Sequence, residues 1–186
     1  MTDAFSFTYL KPFDPAKMKN KSIYVAALFF LIQSVFLPIG HGDANLIEQT
    51  CRQTPDRNLC VSSLKADPRS ATADVTGLAL IMVDVVKNKA TLCANRINDL
   101  LKQKPGDQAL SSCKSDYNAV LIADVPVAVE ALTKGDPKFA EQSMDDTAIE
   151  AKSCEDGFKG RSPMTDLNNA SQKFAAVAAA IVRLLL

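Results

Sequence analysis

Residues 75–107, VTGLALIMVDVVKNKATLCANRINDLLKQKPGD, decide the fold. Val75, Leu78, Met82, Val86, Cys93, Ile97 and Leu100 recur along them at steps of three, four or seven, the repeat of one face of an α-helix. The run stops at Pro105-Gly106, and Asp107 then offers a side-chain oxygen that can cap a new helix. A long amphipathic helix that ends in so short a turn is followed by a neighbour lying antiparallel beside it.

Outward from this segment the same pattern continues. Leu110, Cys113, Tyr117, Val120, Leu121, Ala128 and Leu132 form a second stripe. Met144, Ala148, Ala151 and Phe158 form a weaker third, and Leu167, Phe174, Val177, Ile181 and Leu184 a fourth. No strand-like alternation follows residue 45, so the class is all-α and the arrangement an antiparallel four-helix bundle. A capping residue followed by proline recurs at Thr54-Pro55, Asp67-Pro68, Asp136-Pro137 and Ser162-Pro163, each a candidate helix start. Two shorter helices, roughly 45–51 and 56–66, are expected ahead of the bundle. Pro126 falls inside the second long helix and should kink it, because it removes an amide donor.

The run Ile23–Ile39 is apolar, is preceded by Lys19 and Lys21, and is followed by small residues at Gly42-Asp43-Ala44. This reads as a secretory signal peptide, which makes residues 1–44 a leader and 45–186 one domain, with no membrane association after cleavage. Met1–Lys17 fits a leader badly, since it carries Asp3 and Asp14, and Met18 is the better start. Residues 1–44 hold four Lys and three Asp of the chain's 21 basic and 21 acidic residues, leaving 17 and 18. Nucleic-acid binding is not expected from so even a balance without a basic stripe.

Five cysteines follow the leader: Cys51, Cys60, Cys93, Cys113 and Cys154. In a secreted chain they read as bridges with one thiol left over. Cys51 and Cys60 flank Pro55-Asp56 and can meet across a helical hairpin. Cys113 is nearly level with Cys154 across the turn at Lys134–Asp136, and nearly level with Cys93 across the turn at Pro105. Helix geometry alone therefore leaves the choice open.

The inventory argues against catalysis. The only histidine, His41, lies in the leader, so Ser-His-Asp and Cys-His arrangements are impossible in the mature domain, and so are zinc sites that need histidine. No CxxC pair and no Gly-rich phosphate loop occurs, and no metal or other cofactor is expected. Asp145-Asp146 and Glu155-Asp156 are sequence neighbours that point about 100° apart on a helix; they read as solvated surface. Asn169-Ala170-Ser171 is a glycosylation sequon inside the fourth helix.

Lys134-Gly135-Asp136-Pro137-Lys138-Phe139 stands apart. Gly135 suits a helix end and Asp136-Pro137 a helix start. Lys138 then falls at the second helical position, where the dipole disfavours a cation by about 0.3–1 kcal/mol. Phe139 beside it is expected at an exposed bundle end. An aromatic and a cation projecting from a stiff turn can anchor a partner, although a solvated Lys138 and a packed Phe139 are the plainer alternative.

On Cys51…Cys60, the run SATADVTGLALIMVD (Ser70–Asp84), Cys113…Cys154 and ALTKGDPKFAE (Ala131–Glu141), the chain resembles the plant invertase and pectin methylesterase inhibitor family across residues 45–186. The resemblance implies an up-down-up-down four-helix bundle with an N-terminal helical hairpin. It also implies bridges Cys51–Cys60 and Cys113–Cys154, with Cys93 a free thiol. Invertase inhibitors of this family carry a Pro-Lys-Phe motif, matched by Pro137, Lys138 and Phe139. The implied function is inhibition of an acid invertase by a monomer in the apoplast, cell wall or vacuole. Lys138 would enter the sucrose pocket while Asp136 caps the helix behind it. The alternative is a pectin methylesterase inhibitor that binds through another face of the bundle, since one scaffold serves both.

Overall fold

The computed structural model describes residues 42–186. The expectations for Ile23–Ile39 and for a start at Met18 lie outside them. Helix α1 (Gly42–Cys51) and helix α2 (Arg57–Ala66) form a hairpin, followed by a 3-10 turn at Pro68–Thr72. Then come α3 (Val75–Gln103), α4 (Gln108–Ala119), a π turn (Val120–Asp124), α5 (Val125–Lys134), α6 (Pro137–Gly157) and α7 (Thr165–Arg183). No described helix is long and apolar enough to cross a membrane. Gly42-Asp43-Ala44, the expected cleavage region, form the first turn of α1.

Helix α4, the π turn and α5 act as one bundle member. They pack against α3 on one side and α6 on the other, and α7 closes the ring between α6 and α3. The four-helix bundle is thus as the periodicity predicts, with the α1–α2 hairpin resting on α3 and α7. Pro126 neither breaks the second member nor ends it. The missing amide and the crowded carbonyl four residues back coincide with the π turn, whose wider backbone relieves both.

Two of the four helix starts, those after Thr54-Pro55 and Ser162-Pro163, fall two residues later than the proline rule places them. Asp56, not Thr54, caps α2 by accepting from the amide of Leu59, while Thr54 Oγ1 donates to the carbonyl of Cys51 at the end of α1. Asp67-Pro68 opens the 3-10 turn, and Asp74 caps the long α3 by accepting from Gly77 N at 2.7 Å. Asp107 caps α4 as expected, accepting from Leu110 N. Ser162 Oγ accepts from Met164 N, so α7 starts three residues after Ser162, at Thr165.

Leu78, Met82, Val86, Cys93 and Ile97 of the first stripe are fully buried, as are Leu110, Cys113, Tyr117, Val120 and Ala128 of the second. The fourth stripe is rotated from its expected position. Asn168, Ser171, Ala175, Ala178, Ala179 and Val182 face the core beside Val177 and Ile181, while Phe174 stays on the rim under the ammonium of Lys89, 4.8 Å from its ring centre. Small residues let α7 approach α6 and α3 closely, so close contact rather than side-chain size sets the buried face.

Two bridges staple the bundle. Cys51–Cys60 closes the hairpin with Cα atoms 5.5 Å apart, and Cys113–Cys154 joins α4 to α6 at 4.5 Å. In the loop-entropy account these contribute about 2.7 and 3.9 kcal/mol. Cys93 is free and buried, with its thiol against the carbonyl of Leu167, and burial pushes its pKa up. Its place in the apolar stripe puts it in the core, where a thiol packs as a small apolar side chain.

Candidate functional site

The α5–α6 turn lies at the end of the bundle where α3 begins and α7 ends. Its shape follows from local chemistry. Gly135 takes φ 77° and ψ 30°, the left-handed conformation that terminates helices and favours glycine. The amide of Asp136 donates to the carbonyl of Ala131 at 2.8 Å, and that of Gly135 to Leu132 at 3.4 Å. Pro137 then enters α6 at its first position, where no amide is needed.

One expectation about this turn is corrected. Asp136 occupies the cap position, yet its side chain makes no capping hydrogen bond. The backbone bonds to Ala131 and Leu132, together with the left-handed conformation of Gly135 and the fixed φ of Pro137, hold the turn instead. The carboxylate of Asp136 borders a shallow hollow that it shares with Val127, Glu130, Ala131, Lys134 and Phe139.

Phe139 is 57 % exposed, far more than a packed aromatic, so it projects rather than tucks under the turn. Val127 on α5, which borders the same hollow, is exposed too. Lys138 is accessible too, but it is not solitary. Its Nζ donates to Glu141 Oε2 at 2.6 Å, three residues along α6. Glu141 is nearly buried, and its other oxygen accepts from Arg183 Nε at 2.6 Å, at the end of α7. The Lys138 ammonium, then the Arg183 guanidinium, hold the Glu141 carboxyl below the usual carboxylate range. This pairing offsets the unfavourable dipole at the second helical position. Sequence reading missed it, since Glu141 and Arg183 are 42 residues apart.

The acidic pairs are solvated surface only in part: Asp156 is exposed, whereas Asp145, Asp146 and Glu155 are half-buried. Asp145 pairs with Arg183, and Asp156 with Lys152. Glu155 accepts from Thr165 Oγ1 and from Asn168 Nδ2, and Asn168 Oδ1 accepts from the buried Tyr117 hydroxyl at 2.8 Å. Burial raises the carboxyl pKa of Asp116 and Glu150, which face each other across α4 and α6. Asp124 is raised as well, by burial and by nearby Asp146, and Thr147 Oγ1 donates to it. Asp145 and Glu155 tie α6 to α7, and Glu155 and Asp156 border a small open hollow with Lys152, Asn168 and Asn169. Asn169 is exposed, whereas Ser171 of the same sequon is fully buried in α7.

The described residues thus define a disulfide-stapled helical bundle that presents a rigid, cation- and aromatic-bearing turn, the class of a binding protein. The plant invertase/pectin methylesterase inhibitor model matches residues 45–181, and the chain belongs to that family. It is 48 % identical over 140 residues to "Cell wall / vacuolar inhibitor of fructosidase 1" of Arabidopsis thaliana, covering 75 % of this chain and 68 % of that protein. It is 30 % identical over 177 residues to a "Putative invertase inhibitor" of Platanus acerifolia, covering 88 % and 94 %. Among solved structures, a mutant form of a pectin methylesterase inhibitor from Arabidopsis superposes with a TM-score of 0.64 at 20 % identity, over 75 % of this chain and 97 % of that one. That likeness shows the fold. Both named relatives are inhibitors, in keeping with a protein that is not itself an enzyme.

Proposed function

We propose that this protein is a secreted inhibitor of an acid invertase and that it blocks the sucrose pocket with the turn at residues 136–139. The observation that carries the reading is the pairing of an exposed Phe139 with an accessible Lys138 on a turn fixed by Gly135 and Pro137. A glycoside hydrolase pocket is lined by carboxylates, because its chemistry needs an acid and a nucleophile or base. Lys138 pairs with those carboxylates, while Phe139 and Pro137 fill the mouth and exclude water. A preorganised turn loses little entropy on docking, which favours affinity. The similarity to a protein named for fructosidase inhibition supports the same target class.

The inhibitor acts as a monomer, reaches the cell wall or vacuole by way of the leader at residues 1–44, and needs no cofactor. A glycan at Asn169 is attached before α7 folds, since the folded helix closes over Ser171. Residues 45–186, folded under oxidising conditions, are titrated near pH 5 against an acid invertase and a pectin methylesterase in parallel. Loss of sucrose hydrolysis alone is the expected result. Loss of pectin demethylation alone moves the function to the other target and leaves the turn as ordinary helix-start chemistry.

A further inference from the structure

In the unbound protein the lysine of the turn already has a partner. Lys138 Nζ and Arg183 Nε each lie 2.6 Å from a different oxygen of Glu141. Arg183 also reaches both oxygens of Asp145 through Nη2, at 3.1 and 3.0 Å. Glu141 is 8 % exposed, whereas the side chain of Lys138 is 70 % exposed. The carboxylate is therefore held from two sides within the bundle, and the lysine is the solvent-facing partner.

We propose that Glu141 is a latch on Lys138, a positioning residue that holds the ammonium against its own helix and makes the turn selective for pockets presenting more than one carboxylate. The proposal rests on the reading that Lys138 enters such a pocket. Exchanging Glu141 for one isolated carboxylate on a partner replaces an ion pair with an equivalent one, and half-exposed pairs contribute little net. Exchanging it for two or more converging carboxylates in a water-poor pocket is favourable. Arg183 makes the exchange feasible: when Lys138 leaves, the nearly buried Glu141 still faces a cation and accepts its hydrogen bond. Without Arg183, release of Lys138 would strand a desolvated charge, which is costly.

Glu141→Gln tests the latch while keeping the side-chain shape. The amide oxygen turns to Arg183, which can only donate, and the amide NH2 then faces Lys138 and cannot accept from it. In the free protein, NMR of the lysine ammonium groups is expected to show Lys138 hydrogen-bonded and slow to exchange with water in the wild type, and averaged in Glu141→Gln. Against acid invertase, the variant is expected to bind about two- to fivefold tighter, the worth of one such pair. It is also expected to be retained longer on a carboxymethyl resin, which offers isolated carboxylates, than Asp166→Asn, an exposed substitution of equal net charge. Both gains vanish when the two substitutions are compared on a Lys138→Ala background; a merely structural effect would persist. An unchanged ammonium signal, or an inhibition constant that is equal or weaker, overturns the latch. If Lys138→Ala alone leaves inhibition intact, the pocket reading and the selectivity fall together, while the NMR comparison still decides whether Glu141 restrains Lys138.

Discussion

In the proposed reading Lys138 would place a single ammonium among the target's carboxylates, and its removal would separate binding from folding. The side chain is mostly exposed, and Glu141 keeps Arg183 when Lys138 is gone. Lys138→Ala is therefore expected to leave thermal unfolding unchanged and to weaken inhibition by about 2–5 kcal/mol, as for a buried charge partner across an interface. Side-by-side unfolding curves and inhibition titrations check both halves. At this scale the sequence was informative wherever the cause is local. Gly135 and Pro137 announce the turn, and Phe139 follows as an exposed neighbour because α6 has only just begun. Glu141 was opaque, because its second partner arrives from the far end of α7 and no local pattern signals a contact across 42 positions.

Among the helices, caps separate what proline marks from what carboxylates do. Asp56 accepts from Leu59 N at 3.0 Å, whereas Asp136 accepts nothing at the start of α6. Asp56→Ala is expected to cost about 1 kcal/mol in urea unfolding, and Asp136→Ala less than about 0.5. Equal losses would restore the capping role that the sequence suggested for Asp136. Proline locates a long helix only loosely: α2 begins two residues after Pro55, while a 3-10 turn puts the start of α3 seven residues after Pro68. The face of α7 is only half legible: Val177 and Ile181 are buried as the stripe predicts, but Ser171, Ala175, Ala178 and Ala179 share the core side while Leu167 and Phe174 pack at its edge. The first two stripes carried no such conflict, because their large residues and their close contacts coincide.

For the molecule as a whole, helix number, order and antiparallel packing were legible from four stripes and short turns, and the bridges became legible through family likeness. The charge distribution inside the bundle was not, because it depends on which carboxylates face each other. Asp116, Glu150 and Asp124 have raised pKa values, with burial the leading cause in each. A carboxyl whose folded pKa is raised lends stability that is complete below its unfolded pKa, near 4, and is lost as pH rises through the folded value. Glu141, lowered by Lys138 and then Arg183, has the opposite sign: its contribution is present above its unfolded pKa and lost as pH falls. Melting temperature followed across mildly acidic to neutral pH is expected to decline upward, and Asp116→Asn with Glu150→Gln to flatten the decline. A melting temperature that rises towards neutral pH would contradict this account of the pair. The same acid bias suits a protein whose relative is named for the cell wall and vacuole.

The central claim, that the turn at residues 136–139 occupies the sucrose pocket, is tested most directly by measuring inhibition of acid invertase across a range of sucrose concentrations. The account predicts competition: the apparent inhibition constant rises in proportion to sucrose, and saturating sucrose restores the full rate. An inhibition constant indifferent to sucrose, with a depressed maximal rate, would place the inhibitor away from the pocket and contradict the claim.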